Sequence, residues 1–161
     1  MKRNLKRKIS SIVLVGVLAL GLAACSKANA ADYSTGMVSY EEIQNEFAQT
    51  CKNLTWPEGY EVPKEIDEKK DGSVYQKGFG NTRASMYWEA AWEKEWLDTY
   101  KTDSERAEKA LRELEKAKKM PYMSEASCDD ATREYFAKML EKAKKGDPTG
   151  IEENIKLNAP E

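Results

Sequence analysis

Hydrophobic residues recur at helical spacing in four segments that follow residue 38. The first segment opens with Ser39-Tyr40-Glu41-Glu42. This is a capping box, in which the serine oxygen accepts from the backbone N–H of Glu42 and the glutamate side chain reaches back. The apolar positions that follow are Tyr40, Ile43, Phe47, Cys51 and Leu54. This pattern predicts a first helix that ends before residue 56.

The stretch between residues 56 and 80 lacks a helical pattern. Pro57 and Pro63 favour extended backbone in the residues before them, and Gly59 suits a turn that needs a positive φ. Charged residues and three further glycines follow. The sequence therefore predicts an irregular surface segment between the first and second helices.

A second helix is predicted from Thr82 to Tyr100, and it is apolar on two faces. One stripe contains Ala84, Trp88, Ala91 and Trp92, and the other contains Met86, Ala90, Leu97 and Tyr100. A helix of this kind usually lies at the centre of a bundle. We expect Trp88 and Trp92 to be buried core rather than a platform for sugar stacking, and Trp56 to be the most exposed of the four tryptophans.

The C-terminal half of the chain predicts two more helices and a short final one. Thr102 and Glu105 offer a second capping box, and Pro121 marks the end of the third helix. The fourth helix starts near Ser127 and stops at Gly146, and Asp147-Pro148 suits the N-cap and first residue of the last helix. The apolar face of the third helix comprises Ala107, Ala110, Leu111, Leu114 and Ala117. The predicted fold is all-α, with about four helices plus a short C-terminal helix, in a single domain spanning 38–161.

The N-terminus has the pattern of a signal peptide over residues 1–24. Five basic residues precede an uncharged run from Ile9 to Leu22, which is shorter than the ~20 apolar residues of a spanning helix. Leu22-Ala23-Ala24-Cys25 resembles the lipobox of bacterial lipoproteins. The resemblance implies diacylglyceryl transfer to the Cys25 sulfur, cleavage before it, and attachment to the extracytoplasmic face of a cell membrane. Residues 25–37 would then form a lipidated tether.

Two other fates of this N-terminus remain open. The apolar run could stay uncleaved as an anchor, or cleavage after Ala28-Asn29-Ala30 could release a secreted chain that starts at Ala31.

The composition narrows the classes of partner and chemistry. Five of the 26 basic residues and none of the 28 acidic residues precede Cys25, so the mature part is net acidic. This charge argues against nucleic acid as a partner, because phosphate backbones reward clustered positive charge. The absence of histidine excludes histidine relays and histidine-bearing zinc or haem sites. We expect no metal and no cofactor.

Two cysteines remain once Cys25 is assigned to the lipid. Outside the cytoplasm, Cys51 and Cys128 favour a disulfide between the first and fourth helices. The alternative is two independent buried thiols.

Two pairs of residues are candidates for a site. Glu89 and Glu93 lie one helical turn apart beside tryptophans, as a carboxylate pair for glycan chemistry would. A chain this rich in glutamate produces such pairs by chance, so we interpret them as solvated positions between the two apolar faces. Trp56 and Tyr60 flank a proline turn and are the better candidates for an exposed ligand-binding surface.

A second resemblance concerns the aromatic residues of the middle segment. The residues that carry it are Trp56-Pro57-x-Gly59-Tyr60, Gly78-x-Gly80 and Tyr87-Trp88-x-x-x-Trp92-Glu93-x-x-Trp96-Leu97. Over Leu54 to Leu114 this pattern is similar to uncharacterised exported proteins of Gram-positive bacteria, which often have a cysteine near the position of Ala90. Because that family has no assigned activity, the resemblance implies no function.

Three function classes follow from these observations. We expect a non-enzymatic binding or interaction module that recognises an envelope protein or a glycan. The alternatives are a small carboxylate-dependent enzyme that acts on envelope glycans, and a structural spacer or assembly subunit.

Overall fold

A computed structural model describes residues 36–160 of the chain. The predicted signal peptide, Cys25 and the predicted tether up to residue 35 lie outside the described residues. The described part contains five helices and confirms the all-α prediction. The α-helices are α1 (Tyr40–Asn53), α2 (Phe79–Thr99), α3 (Ser104–Leu114), α4 (Asp130–Lys144) and α5 (Thr149–Asn158).

Short elements connect these helices. Two 3₁₀ helices, η1 (Glu115–Lys119) and η2 (Pro121–Met123), lie between α3 and α4. A small antiparallel ladder joins β1 (Met37–Val38) to β2 (Tyr75–Gln76), with Met37 opposite Gln76. The sequence does not predict this ladder, because strands of two residues are too short to show alternation. It also draws Met37, the last residue of the predicted tether, into the folded domain.

The first helix begins as its capping box predicts. The backbone N–H of Glu42 donates to Ser39 Oγ at 3.4 Å, and the Ser39 N–H donates to the Glu42 carboxylate at 2.9 Å. Ile43 and Phe47 are fully buried on the face that packs against α2 and the irregular segment. The 3.6-residue spacing of these apolar positions accounts for that face.

The second helix starts three residues earlier than predicted, at Phe79 rather than Thr82. The carboxylate of Glu46, on α1, accepts hydrogen bonds from the N–H groups of Gly78 and Gly80. These groups have no partner within α2, so Glu46 caps the helix from outside. Gly80 permits this close approach, since a Cβ there would lie 2.0 Å from the Ile43 carbonyl oxygen.

The core consists of two clusters of buried residues, and α2 contributes to both. Trp88 and Trp92 are each 1% exposed, which confirms their predicted burial. Their indole N–H groups both donate to the carbonyl oxygen of Thr55, at 2.8 and 3.0 Å. The two tryptophans therefore hold the segment that follows α1 against the centre of the bundle.

Two helix starts are displaced by one residue from their predicted positions. Asp103, not Thr102, caps α3, because its carboxylate accepts from the Arg106 N–H at 3.1 Å. Pro148 occupies the N-cap position of α5, while Asp147 accepts from the Thr149 N–H at 3.0 Å. In both places a carboxylate satisfies an N–H group of the first turn.

Among residues 36–160, no helix has the length and hydrophobicity that crossing a bilayer requires.

Candidate functional site

A cavity of about 360 Å³ opens where α2, α4, α5 and η2 meet. Such a volume falls in the range of small-molecule sites. Its apolar wall includes Met86, Ala90, Met123 and Phe136. Its polar groups on the helices and η2 are Thr82, Glu89, Glu93, Tyr122, Thr132, Tyr135, Asn154 and Asn158.

Glu89 and Glu93 enter the cavity from successive turns of α2. Residues four apart lie on one face of a helix, so both carboxyl groups meet Asn154 of α5. The Asn154 side-chain nitrogen donates to Glu89 Oε1 at 3.0 Å and to Glu93 Oε1 at 2.8 Å. The Asn158 amide donates to Asn154 Oδ1 at 2.8 Å and thereby fixes the orientation of the Asn154 amide.

Tyr122 completes this group from η2. Its hydroxyl donates to Glu89 Oε2. Glu89 thus accepts two hydrogen bonds, while Glu93 accepts one and is only 1% exposed. Within the described part of the chain, Glu93 Oε2 has no hydrogen-bond partner. This oxygen is not sealed in the core, since it keeps contact with the open cavity, where a ligand group could reach it.

The environment disfavours negative charge on both glutamates. Burial, and secondarily the nearby Glu89, raise the pKa of Glu93 to about 9. Burial also raises the pKa of Glu89, although the hydrogen bonds from Tyr122 and Asn154 oppose this effect. Burial and the Glu89 carboxylate raise the pKa of the Tyr122 hydroxyl. Glu93 is therefore protonated at neutral pH, with its carboxyl group facing an open volume.

The interpretation of Glu89 and Glu93 as solvated positions is wrong. Glu93 is buried and Glu89 is partly buried, because helices pack on several sides of α2. The sequence holds one signal for this. Position 93 fills a gap in the apolar stripe of Met86, Ala90 and Leu97, so the helical period alone places it inside the bundle. No local pattern marks Tyr122 or Asn154 as partners.

The other predicted pair lies away from the cavity wall. The rings of Trp56 and Tyr60 are stacked, with centroids 5.2 Å apart, and the Trp56 indole N–H donates to the Cys51 carbonyl at 2.8 Å. Trp56 is the most exposed of the four tryptophans, as predicted, but it also packs against both core clusters. A role of this pair in ligand binding stays a prediction.

The two cysteines are free in the structure, so the predicted disulfide between Cys51 and Cys128 is not formed. Cys51 is buried in the cluster around Phe47, and burial raises the pKa of its thiol to about 11. Cys128 lies in the cavity wall, with its sulfur 3.7 Å from Met123 Sδ. Each thiol packs with a different core cluster, which parity and compartment could not reveal.

Comparisons with protein-family models, curated proteins and solved structures find no match to this chain. Within residues 36–160, no three cysteine, aspartate or glutamate side chains are grouped to hold a metal ion. The candidate site therefore rests on the geometry of the Glu89–Glu93 cavity.

Proposed function

We propose that this chain is an extracytoplasmic lipoprotein, anchored through Cys25, whose helical domain binds a small molecule in the Glu89–Glu93 cavity. The lipobox resemblance supports the anchor. The observation that carries the binding role is Glu93, a buried acid in the cavity wall with one carboxyl oxygen unpartnered among the described residues. Preformed apolar cavities with a few convergent polar groups are the usual form of a ligand site.

The anchor is tested by the intact mass of the protein extracted from its own membrane. We expect a chain that begins at Cys25 with a diacylglyceryl group, and a Cys25→Ala variant that is no longer processed there. An unmodified chain that begins at Ala31 would show that the protein is secreted instead.

The binding role is tested by blocking the cavity. Thr132 is exposed and lies at its rim, so Thr132→Trp should fill the mouth without disturbing the core. Ala131→Trp is the matched control, because Ala131 is exposed beside it and is not part of the cavity wall. The processed protein, isolated gently from its own envelope, should carry a non-covalent small-molecule adduct in native mass spectrometry. The adduct should be lost in Thr132→Trp and kept in Ala131→Trp.

The thiol of Cys128 can report whether the cavity is occupied. Cys128 is partly exposed in the wall, whereas Cys51 is buried, so a thiol reagent should modify Cys128 first. A bound ligand should slow that modification. If the isolated protein carries no adduct, and Cys128 reacts equally fast with and without envelope extract, the binding role is refuted.

One observation favours an enzyme as the second candidate. Asn154 holds the carboxyl groups of Glu89 and Glu93 side by side, and Glu93 keeps its proton up to a pKa of about 9. A pair of carboxyl groups, one of them a proton donor, is what glycoside cleavage uses. Turnover of envelope glycans that is abolished in both Glu89→Gln and Glu93→Gln would establish this alternative.

A further inference from the structure

The charged groups of the cavity are all acidic. Glu89, Glu93 and Asp129 contribute to its wall, and no lysine or arginine does. Asp129 lies at the exposed rim, where it accepts the Thr132 N–H at 2.7 Å as the cap of α4. The two glutamates are therefore the groups that a ligand deep in the cavity would meet. Since no lysine or arginine lies in the wall, an anionic ligand would find no group of opposite charge there.

Several other partly buried carboxylates of the domain have a cationic partner, which Glu89 and Glu93 lack. Arg106 donates twice to Glu95, Arg83 pairs with Asp67, and Lys144 lies 2.6 Å from Glu115. In the part of the chain that the structure describes, neither Glu89 nor Glu93 has an ion-pair partner. A buried carboxylate without a cation is costly, and a bound cation would remove that cost.

The rest of the wall suits a hydrocarbon attached to such a cation. Met86, Ala90, Met123 and Phe136 provide apolar surface, and Tyr135 adds a second aromatic ring beside Phe136. Aromatic faces attract organic cations, and thioethers fill irregular space around alkyl chains. The cavity thus combines buried hydrogen-bond acceptors, the carboxyl groups of Glu89 and Glu93, with an apolar wall.

We propose that the ligand of this cavity is a primary alkylammonium ion. Its N–H groups donate hydrogen bonds to Glu93 Oε2 and Glu89, and its alkyl chain lies between α2, α4 and η2. This inference rests on the proposed function, since it names the ligand class of the same cavity. The unpartnered Glu93 oxygen favours a primary amine over a quaternary one, because only N–H groups can donate to it.

Binding of the cation is coupled to loss of a proton. The free cavity holds Glu93 as the neutral acid. The ammonium ion enters with its own three protons, the Glu93 O–H bond breaks, and the proton leaves to solvent, so that one cation is exchanged for one proton. Four other titratable groups face Glu93: Glu89 on α2, Tyr122 from η2, and Tyr135 with Cys128 on the α4 side. From α5 come only the neutral amides of Asn154 and Asn158. Binding is therefore expected to strengthen as pH rises from 6 towards 8.

The test compares n-butylamine with 1-butanol, which has the same length but no charge, in calorimetric titrations of the full-length protein. We expect n-butylamine to bind at least ten-fold more tightly than 1-butanol. Titration in two buffers of different ionisation enthalpy should show release of about one proton per amine bound. Tetramethylammonium should bind more weakly than n-butylamine, because it cannot donate to Glu93.

Glu93→Gln should lower the affinity for n-butylamine at least ten-fold and abolish proton release. Glu152→Gln is the matched control, since Glu152 is an exposed residue of α5 that is not part of the cavity wall. It makes the same glutamate-to-glutamine change outside the cavity and should leave both quantities unchanged. Equal affinities for n-butylamine and 1-butanol, with both slowing Cys128 modification, would overturn the cationic ligand class and leave the binding role intact. A cavity that neither compound enters, in a protein without a native adduct, would overturn both.

Discussion

Replacement of Glu93 by glutamine is expected to reduce the pH dependence of the free energy of unfolding. The folded protein keeps a proton on Glu93 up to a pKa of about 9, whereas an exposed glutamate releases it near 4.5. Between these two values the unfolded chain binds fewer protons than the folded one, so stability falls as pH rises. The stabilisation that this proton provides is fully present below pH 4.5, decreases as the pH rises above that value, and is gone above pH 9.

The magnitude follows from the width of that window. Each pH unit inside it lowers the free energy of unfolding by about 1.4 kcal/mol, so this one group costs roughly 3 kcal/mol at pH 7 relative to pH 4.5. Glutamine is neutral at every pH and its carbonyl oxygen can keep the hydrogen bond from Asn154. Glu93→Gln should therefore equal the wild type near pH 5 and exceed it by roughly 3 kcal/mol at pH 7.

Urea denaturation of both proteins at intervals between pH 5 and pH 9 measures this difference. Taking the difference between the two proteins cancels the groups that titrate in both. Glu152→Gln, at an exposed position of α5, should run parallel to the wild type across the range. A wild-type-minus-Glu93→Gln difference that stays flat from pH 5 to pH 8 would refute the buried, protonated state of Glu93.

Three further changes test the packing of the domain. Gly80→Ala should destabilise it by about 3 kcal/mol in urea denaturation, because the new Cβ would lie 2.0 Å from the Ile43 carbonyl oxygen and must push α1 from α2; a wild-type midpoint would contradict this close approach. Trp88→Ala should lower the free energy of unfolding by about 3–5 kcal/mol, and Trp56→Ala should lower it by roughly 1–3 kcal/mol. The reason is that the Trp88 indole is fully buried and the Trp56 indole only in part. Equal losses in the two variants would argue against this ranking. Both Cys51 and Cys128 should react with a thiol reagent in denaturant without reductant, with Cys128 reacting first in the native protein; unreactive thiols would mean that they are paired after all.

The helices follow from local sequence, whereas their exact starts do not. The capping box at Ser39 and the 3.6-residue apolar spacing are properties of neighbouring residues, so α1 is predicted almost to the residue. The start of α2 depends on Glu46, which is more than thirty residues away and supplies the missing hydrogen-bond acceptors. A contact of that range leaves no trace in the pattern around Phe79.

The site was harder to predict than the fold for the same reason. One-turn spacing marks Glu89 and Glu93 as a pair, but charge alone favours solvent for both. Their burial depends on α5, which brings Asn154 from more than sixty positions away. The gap in the apolar stripe at position 93 is a usable sign, because an acid that completes a buried face must find a partner there or stay protonated.

The acceptor shared by the two tryptophans has a consequence for sequence variation. The Thr55 carbonyl is a main-chain group, and the Thr55 side chain is exposed, so any residue at this position can offer the same oxygen to Trp88 and Trp92. The residue at position 55 can therefore change during evolution while both hydrogen bonds from the indoles are kept. Methods that detect contacts from correlated substitutions will not see this one, although it fastens the first helix to the middle of the fold.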